Sequence, residues 1–188
     1  MKKKSVKAKR KPAAKAARKA AKKAAKKSAT KRVSPIPRGY RTVTPQLTVR
    51  GAAEAIDFYK RAFGARELMR MLSPDGTVMH AELRIGDSVF FLGDESPDMG
   101  GRSPQALGGA TGSLHVYVRN VDAAVKRAVD AGAQVAMAVA DMFWGDRYGK
   151  LRDPFGHEWG LATHTEDLTP AQQRKRAEEY AKQMGQHG

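Results

Sequence analysis

Two stretches of this chain repeat one pattern: VRGAAEAIDFYKRAFGA at 49–65 and VRNVDAAVKRAVDAGA at 118–133. Each opens on Val-Arg, carries apolar residues at helical spacing and closes on Gly-Ala. In the first, Ala52, Ala55, Ile56, Tyr59 and Phe63 share one stripe; in the second, Val121, Ala124, Val125, Ala128 and Val129 do. Gly64 or Gly132 marks each helix end, where a left-handed residue stops the spiral. Alternating runs precede both helices. VTPQLTV (43–49) separates Val43, Leu47 and Val49 from Thr44, Gln46 and Thr48, and SLHVYVR (113–119) separates Leu114, Val116 and Val118 from Ser113, His115 and Tyr117. Three strand-like segments follow each helix: RELMRML, TVMHAELRI and SVFFL in the first half, then AQVAMAVA, FWGDRYGKLR and HEWGLATH in the second. The repeated unit is strand, helix, three strands.

Such a unit covers one sheet face with its helix and leaves a more polar face over. The expected fold class is therefore α+β: two βαβββ modules forming a curved mixed sheet with a concave cleft. Period-two alternation assigns Met79, Ala81, Leu83 and Ile85 to the helix side and Val78, His80, Glu82 and Arg84 to the cleft. The same count puts His157, Trp159 and Leu161 on the helix side and Glu158, Gly160 and Ala162 toward the cleft. The body spans 40–166, with modules at about 40–94 and 112–166; the Gly-, Pro- and Ser-rich stretch 93–112 between them is a lid or a passive linker. In the C-terminal segment 167–188, Thr169, Pro170 and Gln172 form a helix-start signature, and a helix from about 170 to 184 is expected.

The charge sits at the other end. Of 35 Lys and Arg, 17 lie in residues 1–40 with no acid among them, so the remaining 18 face 19 acidic groups and the body is near neutral. Residues 1–39 form a Lys/Ala-rich tail with too little apolar surface to offset the entropy of ordering, and they are expected to be disordered. The tail resembles the lysine-rich tails of linker histones and bacterial histone-like proteins. Lys15, Arg18, Lys19, Lys22, Lys23, Lys26 and Lys27 are the candidate nucleic-acid contacts, acting through counterion release without sequence preference. A merely solubilising extension is the alternative. The chain has no cysteine, so disulfides, thiolate metal sites and cysteine nucleophiles are excluded. No stretch approaches the ~20 apolar residues that a membrane span needs, and the basic amino terminus lacks the apolar core of a secretory signal. A cytoplasmic protein is expected, nucleoid-associated where the tail engages DNA.

AIDFYKRAFGA, VMHAELRIGDSVFFLGDE and FWGDRYGKLRDPFGHEW occur in that order within roughly 40–166. Together they resemble the vicinal oxygen chelate superfamily, which includes glyoxalase, bleomycin-resistance proteins and ring-cleaving dioxygenases, and within it the PhnB-like branch. The resemblance implies the paired-module fold and a homodimer. It also implies where a metal would sit: on four inward side chains, typically His, Gln or Glu, from the first and last strand of each module. Those positions fall on Thr44 or Gln46, on Phe90 or Phe91, on Ser113 or His115, and on Gly160. Phenyl rings and glycine donate nothing, and an open divalent site takes three protein ligands or more. No cofactor and no metal ligand is expected.

His80, Glu82 and His115 are the candidate catalytic residues, with Glu82 orienting His80 as a general base; the alternative is that they satisfy one another by hydrogen bonds. Gln46, Thr48, Tyr117, Trp144, Arg147 and Glu158 are the candidate ligand-binding residues, with Phe143 and Tyr148 as further aromatic walls. The expected function is metal-independent binding of a small organic ligand by a protein whose tail binds nucleic acid. One alternative is an enzyme of the same superfamily, either a metal-dependent lyase or dioxygenase or a metal-free acid/base isomerase. The other is a structural dimerisation module carrying a basic tail.

Overall fold

Each half of the repeat folds into its own four-stranded mixed sheet. In the computed structural model, which describes residues 33–185, the first module comprises β1 (Gln46–Val49), α1 (Ala52–Phe63), β2 (Arg66–Leu72), β3 (Val78–Ile85) and β4 (Ser88–Asp94). The second comprises β5 (Ser113–Tyr117), α3 (Val121–Asp130), β6 (Gln134–Asp141), β7 (Asp146–Arg152) and β8 (Glu158–His164), with the short α2 (Pro104–Leu107) between the modules and α4 (Pro170–Met184) after them. The strand orders are β1-β4-β3-β2 and β5-β8-β7-β6, with β1/β4 and β5/β8 parallel and the other pairs antiparallel. The ladder does not run on from β1 to β5, so the eight strands are two sheets.

All of this belongs to one compact unit, Gly39–Gly188. Residues 33–38, in the unit Met1–Arg38, are exposed, and Ser34 Oγ donates to the Ile36 carbonyl at 2.7 Å. The candidate tail contacts Lys15, Arg18, Lys19, Lys22, Lys23, Lys26 and Lys27 lie outside the described residues.

The helix ends follow their local chemistry. Gly51 takes a left-handed φ of 84° before α1, and the Asp94 carboxylate at the end of β4 accepts from both Gly51 N and Ala52 N, at 3.0 and 2.7 Å. Those are two of the four backbone donors that a helix start leaves unpaired. In the second module Thr163 takes the same role, accepting from Val121 N at 2.9 Å. Thr169 and Gln172 form the capping box of α4.

The helix-covered sides of both sheets drain into one core. Tyr59 and Phe63 of α1 lie with ring centroids 5.3 and 4.5 Å from Trp159 of β8, and Phe90 of β4 reaches Trp159 at 6.0 Å. Trp159, Tyr59, Ile56, Leu83 and Leu161 are fully buried, and each large apolar side chain so buried stabilises the fold by about 1.5–3 kcal/mol relative to exposure.

Two assignments from strand alternation and one from the helical stripe change. Val43 is exposed because β1 begins only at Gln46, after Pro45. At the start of β3, Val78 is 1% exposed and Met79 is 63% exposed, the reverse of the expected faces. The register shifts between Met71 and Leu72, and the Val78 amide donates to Asp94 Oδ2 at 2.9 Å, which turns Val78 inward. The third is Val129, 40% exposed at the end of its stripe.

Candidate functional site

The faces turned away from the core carry the polar side chains, and strand register sets their order. In the first module, cross-strand rows read Arg66–Arg84–Val89 and Met69–Glu82–Phe91–Gln46. In the second they read Gln134–Arg152–Glu158–Ser113, then Met137–Lys150–Gly160–His115, with Tyr148–Ala162–Tyr117 beyond. Asp94 and Thr163 match as helix-capping ends of β4 and β8, so Phe91 corresponds to Gly160, Gln46 to His115 and Arg84 to Arg152.

On the first module the Tyr40 hydroxyl donates to Glu82 Oε2, while His80 Nε2 lies 3.5 Å from Glu82 Oε1. Phe91 stands between them, 4.9 Å from the His80 ring and 6.1 Å from that of Tyr40. The bond to Glu82, and next partial burial, raises the Tyr40 phenol above its ordinary pKa, so it stays a donor.

On the second module the rings form a chain. His115 stacks on Tyr148 at 5.6 Å and meets Tyr117 at 4.8 Å; Trp144 meets Tyr148 at 5.8 Å and Phe143 at 5.0 Å; Phe143 meets Tyr180 of α4 at 5.1 Å. Beneath them lies the buried carboxylate of Asp146, which accepts from Tyr117 Oη at 3.3 Å and Trp144 Nε1 at 3.1 Å and sits 2.8 Å from His164 Nδ1. Desolvation, then the Asp146 charge, raises the Tyr117 phenol. Lys150 and Arg152 flank Glu158, and the hydrogen bond from Lys150 holds the Glu158 carboxyl below its ordinary range.

Between the modules a cavity of about 830 Å³ brings together Gln46 and Thr48 of β1, His115 and Tyr117 of β5, and Leu107 and Arg102 of the connecting segment. That segment is fastened: Glu95 accepts from Ser103 N and Oγ at 3.1 and 2.6 Å and pairs with Arg50 at 2.7 Å, which brings the Glu95 carboxyl down to about 2. His157 closes the seam with Nε2 3.0 Å from the Thr48 carbonyl.

The structure thus gathers Gln46, Thr48, His115 and Tyr117 at one cavity, and places His80 with Glu82 in a separate cluster on β3. Among the described residues no hydrogen bond, ion pair or ring contact joins the two groups. Trp144 and Glu158 stand on the polar side of the second module, outside the cavity lining. Arg147 points to the opposite side of β7, where Asp122 at 2.7 Å and Asp141 at 3.1 Å hold its guanidinium. Sequence reasoning singled out neither Tyr40, at the domain boundary, nor the Asp146–His164 pair. An Asp and a His eighteen positions apart leave no motif, and only the β7/β8 register, which sets Asp146 against His164, unites them.

A metal fits poorly here. The positions that the family resemblance assigns to a metal carry Gln46, Phe91, His115 and Gly160, one amide, one imidazole and no carboxylate. The vacancy over Gly160 is filled by the Tyr148 ring, which a Cβ would meet at 2.8 Å. Among the described residues no three His, Asp or Glu side chains gather as a group able to hold an ion.

Two βαβββ modules, packed on a shared core with polar faces outward and a cavity at the seam, define a paired-module α+β protein. The family model "Glyoxalase/Bleomycin resistance protein/Dioxygenase superfamily" matches residues 41–161, and the chain belongs to that superfamily. Uncharacterized protein Rv0887c of Mycobacterium tuberculosis is 50% identical over 122 residues, covering 63% of this chain and 72% of that one. The X-ray structure of the Arabidopsis thaliana At5g48480 gene product aligns with a TM-score of 0.54 at 32% identity, over 65% of this chain and 98% of that one. The PhnB protein from Bacillus cereus shares the fold, with a TM-score of 0.52 at 20% identity over 65% of this chain and 99% of that one.

Proposed function

We propose that this chain is a metal-independent binder of a small organic molecule, of the PhnB-like kind, acting as a homodimer and carrying a tail that binds nucleic acid without sequence preference. The observation that carries the reading is the seam cavity, where Gln46, Thr48, His115 and Tyr117 offer hydrogen-bond donors, acceptors and rings over apolar walls. Such a mixture orients an organic ligand, whereas the absence of any carboxylate from the four expected positions argues against a divalent cation.

The test is a thermal-shift screen of the full chain against small organic molecules and against zinc, nickel, manganese and iron salts. A true ligand at a hundred times its Kd adds about 2.7 kcal/mol to native stability. The reading expects such a rise for an organic molecule, weakened by His115→Ala and Tyr117→Phe, and none for the metals. Stoichiometric divalent metal in protein purified without chelator would reject it.

The homodimer is supported by apolar side chains on the two outer strands: Met69, Met71 and Leu72 on β2 and Val135 and Met137 on β6 are exposed. Open strand edges with apolar side chains pair readily with another copy, and light scattering at micromolar concentration reads the mass directly. The tail reading rests on charge alone. It expects duplex-DNA affinity to fall steeply with salt and to drop when Lys22, Lys23, Lys26 and Lys27 become Gln. No helix among the described residues is long and apolar enough to cross a membrane; DNA binding by the tail would bring a cytoplasmic protein to the nucleoid.

A second reading, a metal-free acid/base enzyme, is supported by His80 Nε2 standing 3.5 Å from Glu82 Oε1. Its third candidate, His115, lines the cavity instead.

A further inference from the structure

Arg84 is out of place electrostatically. Its Nε is buried and has no hydrogen-bond partner, the single such side-chain atom among the described residues. No carboxylate lies within ion-pair distance of its guanidinium, and none lies near that of Arg66, its direct cross-strand neighbour on the same face. Like charges on directly opposed strand positions repel, and an unpaired buried donor costs the fold its desolvation. Glu82, two residues along the same strand, pairs with neither arginine; its oxygens meet Tyr40 and His80.

The repeat shows what is missing. The second module's counterpart of Arg84 is Arg152, whose cross-strand neighbour on β8 is Glu158, at 3.4 Å. The corresponding neighbour of Arg84 on β4 is Val89. One module supplies its own acid, and the other puts a valine in that place.

We propose that Arg84 and Arg66 form a binding site for the oxyanion of a small organic acid, a carboxylate or phosphoryl group, on the outward face of the first module. The anion takes the place that Glu158 fills in the second module and supplies the acceptor that Arg84 Nε lacks, with Arg66 as the second charge. This site adjoins the seam cavity at Val89, which lines it, but its two charges are its own, since neither Arg84 nor Arg66 belongs to that lining. Guanidinium pairs favour such anions because their planar forks match two oxygens at once.

The experiment is a titration of ¹⁵N-labelled full-length protein with benzoate, inorganic phosphate and the neutral benzamide, following the Arg84 Nε–H signal. The residue-resolved signal separates this site from weak anion binding by the lysine-rich tail. The proposal expects saturable shifts with benzoate and phosphate and none with benzamide. It expects Arg84→Gln to weaken benzoate binding about tenfold or more, the loss of one charge-assisted contact, and Arg66→Gln to weaken it less. Val89→Glu provides the check independent of losing the arginine; because Val89 also lines the seam cavity, it is read at Arg84 Nε–H, where a resident acid pairs with Arg84 and abolishes the benzoate shift. An Arg84 signal indifferent to both anions, or benzoate affinity unchanged in Arg84→Gln or Val89→Glu, overturns the proposal. Signals of His115 and Tyr117 moving with benzoate while Arg84 stays still would sink the oxyanion site and leave the cavity reading standing.

Discussion

The Tyr59 hydroxyl donates a 2.8 Å hydrogen bond to Asp153 Oδ2, tying the helix of the first module to the turn between β7 and β8 of the second. The same carboxylate accepts from Trp159 Nε1 at 2.8 Å and from the amides of Phe155 and His157, both at 2.9 Å. Burial, and then the Asp153 charge, pushes the Tyr59 phenol well above its ordinary pKa, so it donates at every working pH. Asp153 is thus the common acceptor that makes two modules one cooperative unit.

Removing either partner should therefore cost more than a surface change. Tyr59→Phe deletes one hydrogen bond to a charged acceptor, an expected loss of about 1.5–3 kcal/mol. Asp153→Ala orphans four donors at once and should cost about 3 kcal/mol or more, at one to three for each buried group left unpaired. Urea denaturation with a single transition in the wild type and a smaller midpoint in each variant checks this. Equal midpoints would show the modules to be held by ring packing alone.

Gly160 offers a test of how the outward face of the second module is filled. A Cβ there would stand 2.8 Å from Tyr148 Cε2 and Oη and 3.2 Å from His115 Nδ1. Gly160→Ala should destabilise by about 1–3 kcal/mol, the usual range for overpacking, and Tyr148→Ala should recover most of that loss in the double variant. Additive effects in the double-mutant cycle would mean that the ring is not what occupies the space.

The α4 helix hangs by few threads. Tyr180 meets Phe143 at 5.1 Å, and Arg176 pairs with Glu166 at 2.7 Å. A ring pair of that kind contributes about 0.5–1.5 kcal/mol beyond burial, so Tyr180→Ala should release the helix without unfolding the body. Hydrogen exchange of amides 170–184 accelerating while those of β8 stay protected is the expected result; protection unchanged throughout would assign the docking elsewhere.

Most of this architecture was legible in the residues, and the reasons are local. The stripe through Ala52, Ile56, Tyr59 and Phe63 has only one helical solution, and Gly64, with φ of 66°, ends it as a left-handed cap. Thr169, Pro170 and Gln172 fixed the start of α4 to the residue. What alternation missed came from contacts distant in sequence. Val78 and Met79 exchange faces because a carboxylate sixteen positions away captures the Val78 amide. Arg147 is drawn off the outward face by Asp122, on a helix twenty-five positions earlier. The candidate site suffered most: His80 and His115 sit at matching polarity in each half, yet register puts one beside Glu82 and the other at the seam cavity.

His164 supplies a pH dependence whose sign can be worked out. Its Nδ1 lies 2.8 Å from Asp146 Oδ1 and its Nε2 lies 3.1 Å from Asp167 Oδ1. The bond to Asp146, then that to Asp167, raises its pKa above the ordinary histidine value. A group more basic in the folded state than in the unfolded chain stabilises fully below its unfolded pKa, about 6.5, and loses that contribution as pH rises through its folded value. The Glu95 carboxyl works in the opposite direction and in another window: lowered to about 2, it stabilises above the ordinary carboxylate range and fails only as pH falls through that value. Between pH 5 and 9 Glu95 is therefore silent. The midpoint difference between wild type and His164→Gln should be largest near pH 5.5 and shrink toward pH 9, with half the side chain exposed to solvent keeping it modest. A difference that is flat with pH, or that grows on the alkaline side, would mean the imidazole stays a neutral ring whose single N–H bonds only one of the two carboxylates, and the charge pairing would fail.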